Sequence, residues 1–233
     1  MKTILFIHGF SAKKEDNEYF IKYMKKYKNI KIVTFTLPGH ENDEVTYVSY
    51  DKWLKKAEQE FLKINSKKII VIGHSMGAII AAYLASKYKI HKLILLSPAY
   101  IFGSFKQNKE DLKKLLKNRI NHTETGFEGF LKKITTVPVK SMMEYHKLAH
   151  IGKNDLEKIT CPVLVMHGDK DNVISIKSSE YVLKHLKSKK EFVCIHKVRH
   201  QIFKSNKKEQ ISSYIYYYIQ GGLLYMLMKR KEI

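Results

Sequence analysis

The sequence predicts an α/β fold: a mainly parallel sheet of about six strands, helices on both faces, and a small helical cap inserted after the fourth strand. Short continuous apolar runs rich in Ile, Leu and Val alternate with longer stretches whose apolar residues recur three and four apart, the pattern of parallel strands joined by crossover helices. A length of 233 residues suits one domain with a modest insertion. From Pro98 to Ile159 about sixty residues of helical character pass without a strand.

The strand candidates in chain order are Ile4 to Ile7, Ile30 to Phe35, Lys68 to Ile72, Lys92 to Leu96, Val163 to Met166 and Phe192 to Ile195. Between them Tyr19 to Tyr27, Tyr50 to Ile64, Met76 to Tyr88 and Ser178 to Leu186 read as amphipathic helices. Right-handed crossovers distribute such helices over both faces of a parallel sheet. Within the long interval, Asp111 to Ile120 and Lys140 to His150 are helical. The expected division is a core of residues 1–97 and 160–220, a cap of residues 98–159, and a tail of residues 221–233. After a last helix, Lys208 to Gln220, that tail runs through Gly221 and Gly222 into Leu223 to Met228, then Lys229, Arg230 and Lys231.

Hydrophobic residues at 44% and charged residues at 28% exclude a disordered or fibrous chain. The net charge of +21 raises anionic partners. Arg119, Arg199 and Arg230 are the only arginines, however, and the lysines are spread along the chain. A dedicated nucleic-acid binder interleaves arginine and aromatics in a patch, so no nucleic-acid partner is expected. Cys161 and Cys194, each in or beside an apolar run read as a buried strand, form neither a disulfide framework nor metal-site spacing. Met1-Lys2-Thr3 leads straight into a strand without the pattern of a signal peptide, and a cytoplasmic location is expected. Leu223 to Met228 is too short to span a bilayer; weak contact with a membrane surface, or packing on the chain itself, are the readings of the tail.

The chemistry centres on Gly73-His74-Ser75-Met76-Gly77, a G-x-S-x-G pattern between a strand and a helix. A serine on such a tight, strained turn is lifted above the sheet, and bulk at either glycine would strike neighbouring backbone. A hydroxyl needs a base within hydrogen-bond reach, and the base needs a carboxylate that holds its tautomer. His167-Gly168-Asp169-Lys170-Asp171 follows the fifth strand and supplies the carboxylate as Asp169 or Asp171. Val198-Arg199-His200 follows the sixth. His200, in the loop, is preferred as base over His196, which closes the strand. An oxyanion would take the amide N–H of Met76, after the nucleophile, and of Phe10, in the loop after His8-Gly9. Neither a metal nor an organic cofactor is implied.

Together, His8-Gly9-Phe10, Leu37-Pro38-Gly39-His40-Glu41, Gly73-His74-Ser75-Met76-Gly77, Gly168 to Val173 and Val198-Arg199-His200 make the chain resemble the α/β-hydrolase superfamily. Among its branches the chain is most similar to small bacterial carboxylesterases akin to monoacylglycerol lipases. That resemblance implies an α/β-hydrolase fold with the minimal sheet, and a catalytic Asp at the third position after Gly168, hence Asp171. It implies a Ser75-Asp171-His200 triad cleaving short- to medium-chain acyl esters or monoacylglycerols through an acyl-enzyme, with a small-molecule ester as partner. Thioesterases and other acyl hydrolases share the triad and stand as the alternative. Phe102, Phe105, Phe127, Phe130, Met142, Met143 and Tyr145 are expected to give the cap an apolar underside. Two positions depart from the family pattern: Arg199 and Ala78 stand where glycine is usual.

Overall fold

The computed structural model describes residues 1–42, 44–101 and 138–221. Within them the chain runs β1 (Lys2–Ile7), α1 (Glu18–Lys25), β2 (Ile30–Thr34), α2 (Tyr50–Leu62), β3 (Ile69–His74), α3 (Met76–Lys87) and β4 (Lys92–Leu96). It continues through α4 (Val139–Gly152), β5 (Val163–Gly168), α5 (Lys177–His185), β6 (Lys190–Ile195) and α6 (Lys208–Gln220). The expected α/β architecture is present: six strands form one sheet in the order β2-β1-β3-β4-β5-β6, and every pairing is parallel.

The period-2 alternation of strand side chains builds two apolar layers from one sheet. Leu5, Ile7, Val71, Leu93, Leu95, Val163 and Val165 face one way, against Trp53 and Ala57 of α2, the whole inner run of α3, and Val182 of α5. Ile4, Phe6, Ile70, Ile72, Ile94, Leu96, Leu164 and Met166 face the other, against Phe20 and Met24 of α1 and Ile211, Tyr214 and Ile215 of α6. Core thus lies on both faces, as the near-continuous apolar strands require.

Two expectations are corrected. Met76 to Tyr88 reads as an amphipathic helix, yet α3 is buried from Met76 through Ala82 with no wet face in that stretch. The sheet, α2, α4 and a 3-10 segment at Lys153–Lys158 enclose it, and a helix covered on all sides needs no polar stripe. Cys161 is buried as expected, but Cys194 is exposed, because β6 is an edge strand whose outward positions, Lys190 included, meet solvent.

Val139–Gly152 takes the place of the helix expected from Lys140 to His150. The segment Asp111 to Ile120, the aromatics Phe102, Phe105, Phe127 and Phe130, and the tail Leu223 to Lys231 lie outside the described residues. Gly221 ends α6 in the left-handed conformation, φ 82°. Among the described residues no helix is long and apolar enough to cross a membrane.

Candidate active site

Register fixes where the loops converge. Ile7 pairs with Gly73, His74 with Leu96, Leu96 with Met166, and Gly168 with Ile195, so all the strand ends that carry candidate residues open on one rim. Ligand sites of open α/β sheets form there. Strain concentrates on the same rim: the described non-glycine residues with positive φ are Ser11, Ser75, Ser97 and Lys197, and each lies just beyond a strand.

Ser75 has φ 57° and ψ −120° between β3 and α3. Its own N–H donates to the Leu96 carbonyl at 2.9 Å, and its carbonyl accepts the Ala78 N–H at 3.0 Å, which pins the turn from both sides. The flanking glycines permit it. A Cβ on Gly73 would stand 2.2 Å from the Gly77 oxygen, and one on Gly77 would stand 2.3 Å from the Ile7 oxygen. Neither collision involves a movable side chain, so β1, β3 and α3 can approach this closely only with glycine at both places. Ala78 falls where the family usually has glycine, and its side chain is fully buried in the core without disturbing this turn.

The carboxylate question left open by spacing has a geometric answer. His200 Nδ1 lies 2.7 Å from Asp171 Oδ2, and both side chains are buried. Asp171 Oδ1 accepts the N–H groups of Val173 and Ile174 at 2.9 Å each, and His167 Nε2 lies 3.3 Å from Oδ2. Burial alone would raise the Asp171 pKa; the bonds from His167, His200 and the Ile174 amide outweigh it and hold the group well below the usual carboxylate range. An ionised Asp171 only accepts, so the His200 proton sits on Nδ1 and Nε2 is the basic nitrogen. Asp169 and His196 pair with each other instead, at 2.8 Å on the exposed side of the turn. The structure therefore brings Asp171 and His200 together and sets their competitors apart.

Two further histidines tie this pair to the nucleophile. His74, next to Ser75, donates from Nε2 to the His200 carbonyl at 2.9 Å, and the two rings lie 4.9 Å apart. Burial, then the proximity of His200, pushes the His74 pKa down to about 3, so it stays neutral. His8 donates from Nδ1 to the Gly9 carbonyl at 2.8 Å and accepts the Leu37 N–H at Nε2, 2.9 Å away. Burial first, then His40, pushes His8 down to about 3 as well.

The His8 contact bears on the oxyanion donors. In a trans peptide the carbonyl and the following N–H point to opposite sides. Holding the Gly9 carbonyl, to which the Ala12 N–H also donates at 3.3 Å, therefore aims the Phe10 N–H the other way. Met76 is the first residue of α3, where amides have no intrahelical acceptor. Neither N–H donates to any group among the described residues.

Tyr145, expected only as apolar surface, does more. It is 6% exposed, its ring stacks on Phe10 at 5.1 Å, and its hydroxyl hydrogen-bonds the Ser75 side chain. Met142 is partly buried against the same core, whereas Met143 points outward at 55% exposure and cannot form an apolar underside. No cluster of metal-ligating side chains occurs among the described residues. His8, His74 and Tyr145 escape a reading by motif because their roles depend on partners far along the chain, Leu37 for His8, His200 for His74 and Ser75 for Tyr145; the adjacency of His8 to Gly9 and of His74 to Ser75 was the available signal.

Comparison with known proteins bears on the family and the fold. The model of the alpha/beta hydrolase family matches residues 4–203. Human "Monoacylglycerol lipase ABHD6" is 33% identical over 121 residues, 48% of this chain, and the match spans only 35% of that protein's own length. The "AB hydrolase superfamily protein YisY" of Bacillus subtilis is 24% identical over 92% of this chain and 90% of its own. Among solved structures, the Paleococcus ferrophilus monoacylglycerol lipase superposes with a TM-score of 0.73 at 19% identity, covering 93% of both chains. A structure described with the metagenome-derived lipolytic enzymes LipS and LipT gives 0.75 at 16% identity over 94% of both. With most of its length matched by the family model and its fold shared with these structures, the chain belongs to the alpha/beta hydrolase family.

Proposed function

We propose that the chain is a serine hydrolase of carboxylic esters, acting on short- to medium-chain acyl esters or monoacylglycerols. The observation that carries this reading is the buried Asp171–His200 pair at 2.7 Å, tied through His74 to a serine held at positive φ on a strand-to-helix turn. Ser75 Oγ attacks the ester carbonyl and its proton passes to His200 Nε2. The charge that moves to the carbonyl oxygen is met by the N–H groups of Phe10 and Met76. Collapse breaks the bond to the alkoxy group, which leaves as the alcohol with the proton from His200. Water, deprotonated by the same nitrogen, then releases the acid and restores Ser75. Asp171 stays ionised throughout and stabilises the imidazolium.

The choice of an ester with an acyl chain rests on the surroundings of Ser75. Phe10, in the loop after β1, stacks on Tyr145 at 5.1 Å and meets the buried Trp53 edge to face at 6.0 Å, and an apolar surround of this kind favours a hydrocarbon over a charged substrate. The relatives named as lipases point the same way. The test is hydrolysis of acyl esters of graded chain length by the purified chain, with Ser75→Ala and His200→Ala as controls. Turnover that both substitutions abolish is expected. Silence of the wild type on every ester would overturn the reading, and activity on acyl thioesters in the same panel would replace it.

A further inference from the structure

The hydroxyl of Tyr145 has no place in a mechanism built from Ser75, Asp171, His200 and two backbone amides, yet it touches the nucleophile. Its direction of approach is informative. Tyr145 stacks on Phe10, which follows β1, and β1 adjoins β3 on the side opposite β4, β5 and β6. Asp171 and His200 arrive from the β5 and β6 side. The phenol therefore reaches Ser75 from the flank that carries the Phe10 amide, away from the base.

Its chemistry is constrained too. Burial holds the phenol pKa well above its ordinary value, so the group keeps its proton and cannot act as a second base. In the resting enzyme the Ser75 hydroxyl and the phenol share a hydrogen bond that lowers the phenol pKa against the larger effect of burial, and the Ser75 proton turns to the base as the serine attacks. After attack Oγ is bonded to carbon and loses basicity, while negative charge appears on the oxygen next to it. The phenol O–H turns to that oxygen by rotation about its own C–O bond, with the ring held on Phe10. α4 supplies the rigid mount: it packs on α2 and α3, and Glu144, the neighbouring residue, accepts the Tyr50 N–H at the start of α2 at 3.2 Å.

We infer that Tyr145 supplies a third hydrogen-bond donor to the oxyanion, beside the amides of Phe10 and Met76. This rests on the esterase reading above.

Tyr145→Phe keeps the ring stack and removes one oxygen. Three quantities are measured on the purified chain: kcat and KM for a p-nitrophenyl ester, the same for an ethyl ester of the same acid, and the inhibition constant of a trifluoromethyl ketone, which forms a charged adduct with the serine. The expected result is a kcat loss of about tenfold to 10²-fold on both esters with KM within about twofold, and an equal weakening of the ketone. Replacement of Tyr145 by difluorotyrosine, which retains the hydroxyl, is expected to restore both. An unchanged kcat overturns the inference. So does a loss confined to the ethyl ester, which would make the phenol a donor to the leaving group, or a rise in KM alone, which would make it a binding contact. A wild type inactive on both esters would instead sink the esterase reading.

Discussion

His8 makes two hydrogen bonds with two nitrogens, and they can be removed separately. Asparagine places its amide nitrogen near the position of Nδ1, and glutamine places its carbonyl oxygen near that of Nε2. His8→Asn can still donate to the Gly9 carbonyl, but leaves the Leu37 N–H, now 2.9 Å from a ring nitrogen in the buried interior, without an acceptor. An orphaned buried amide costs about 1 to 3 kcal/mol. His8→Gln can still accept from Leu37, but frees the Gly9–Phe10 peptide, which then relies on the longer 3.3 Å bond from the Ala12 N–H. If that peptide turns, the Phe10 N–H leaves the oxyanion, and loss of one such donor costs about 10² to 10³ in kcat. The residual Ala12 bond holds part of the population in place, so the expected loss is about tenfold to 10²-fold. Thermal melts and ester kinetics on both variants read the two effects apart: Asn less stable with most of its kcat, Gln closer to wild type in stability with kcat reduced. A His8→Gln enzyme with wild-type kcat would refute the claim that this ring aims the amide.

Three other outcomes follow from the same geometry. Asp171→Asn places an N–H₂ or a neutral oxygen where the charged acceptor of His200 stood and should lower kcat by about 10⁴, while Asp169→Asn, which disturbs only the exposed His196 pair, should leave kcat within about twofold; the reverse ranking would reassign the carboxylate. Gly77→Ala would put a Cβ 2.3 Å from the Ile7 oxygen, forcing α3 off β1 by about 1 Å, and such a displacement of the nucleophile should cost at least about 10² in kcat; unimpaired turnover would show that the turn can relax. His8 and His74, both pushed down to about 3 from an unfolded value near 6.5, bind fewer protons folded than unfolded, so stability is full above pH 6.5 and is lost as pH falls toward 3, at up to about 1.4 kcal/mol per pH unit for each. Melting temperatures from pH 7 to 4 should therefore slope downward with acid, and His74→Gln, which keeps a donor for the His200 carbonyl, should flatten the slope; an unchanged slope would count against a neutral, buried His74.

The sequence made the scaffold legible because the sheet is buried on both faces: strands that are apolar throughout, such as Val163 to Met166, announce themselves between the longer helical crossovers. The Ser75 elbow was legible for a related reason, since backbone collisions at Gly73 and Gly77 leave no residue choice and so imprint on the sequence. The Asp171 and Asp169 alternatives were not separable by spacing, because both lie within one turn after β5. What separates them is that Asp171 folds inward onto the amides of Val173 and Ile174, a contact with no sequence period. Tyr145 was legible only as an apolar residue on a helix: its contact with Ser75 spans seventy residues, and nothing local distinguishes a tyrosine whose hydroxyl is used from one whose ring is merely packed. Met143 failed for the opposite reason, its exposure being set by a helix face that the neighbouring Met142 and Tyr145 do not share.

The histidines around Ser75 divide by what their partners tolerate. His8 accepts an amide proton at Nε2 and donates at Nδ1, so protonation would set an N–H against the Leu37 N–H and break the brace. His74 donates to a carbonyl in a site where burial disfavours its charged form. Each of these rings works only while it is neutral. His200 has the one partner suited to both states, because an ionised Asp171 accepts the Nδ1–H of imidazole and of imidazolium alike. A proton can therefore enter and leave at Nε2 without loosening the anchor that positions the ring. The bonds from His167, His200 and the Ile174 amide hold the Asp171 pKa well below the usual carboxylate range, so the acceptor stays charged where an ordinary carboxylate would take up a proton. Acid should thus act on the brace and the elbow, whose rings must stay neutral, and loss of activity on acidification should be accompanied by loss of structure.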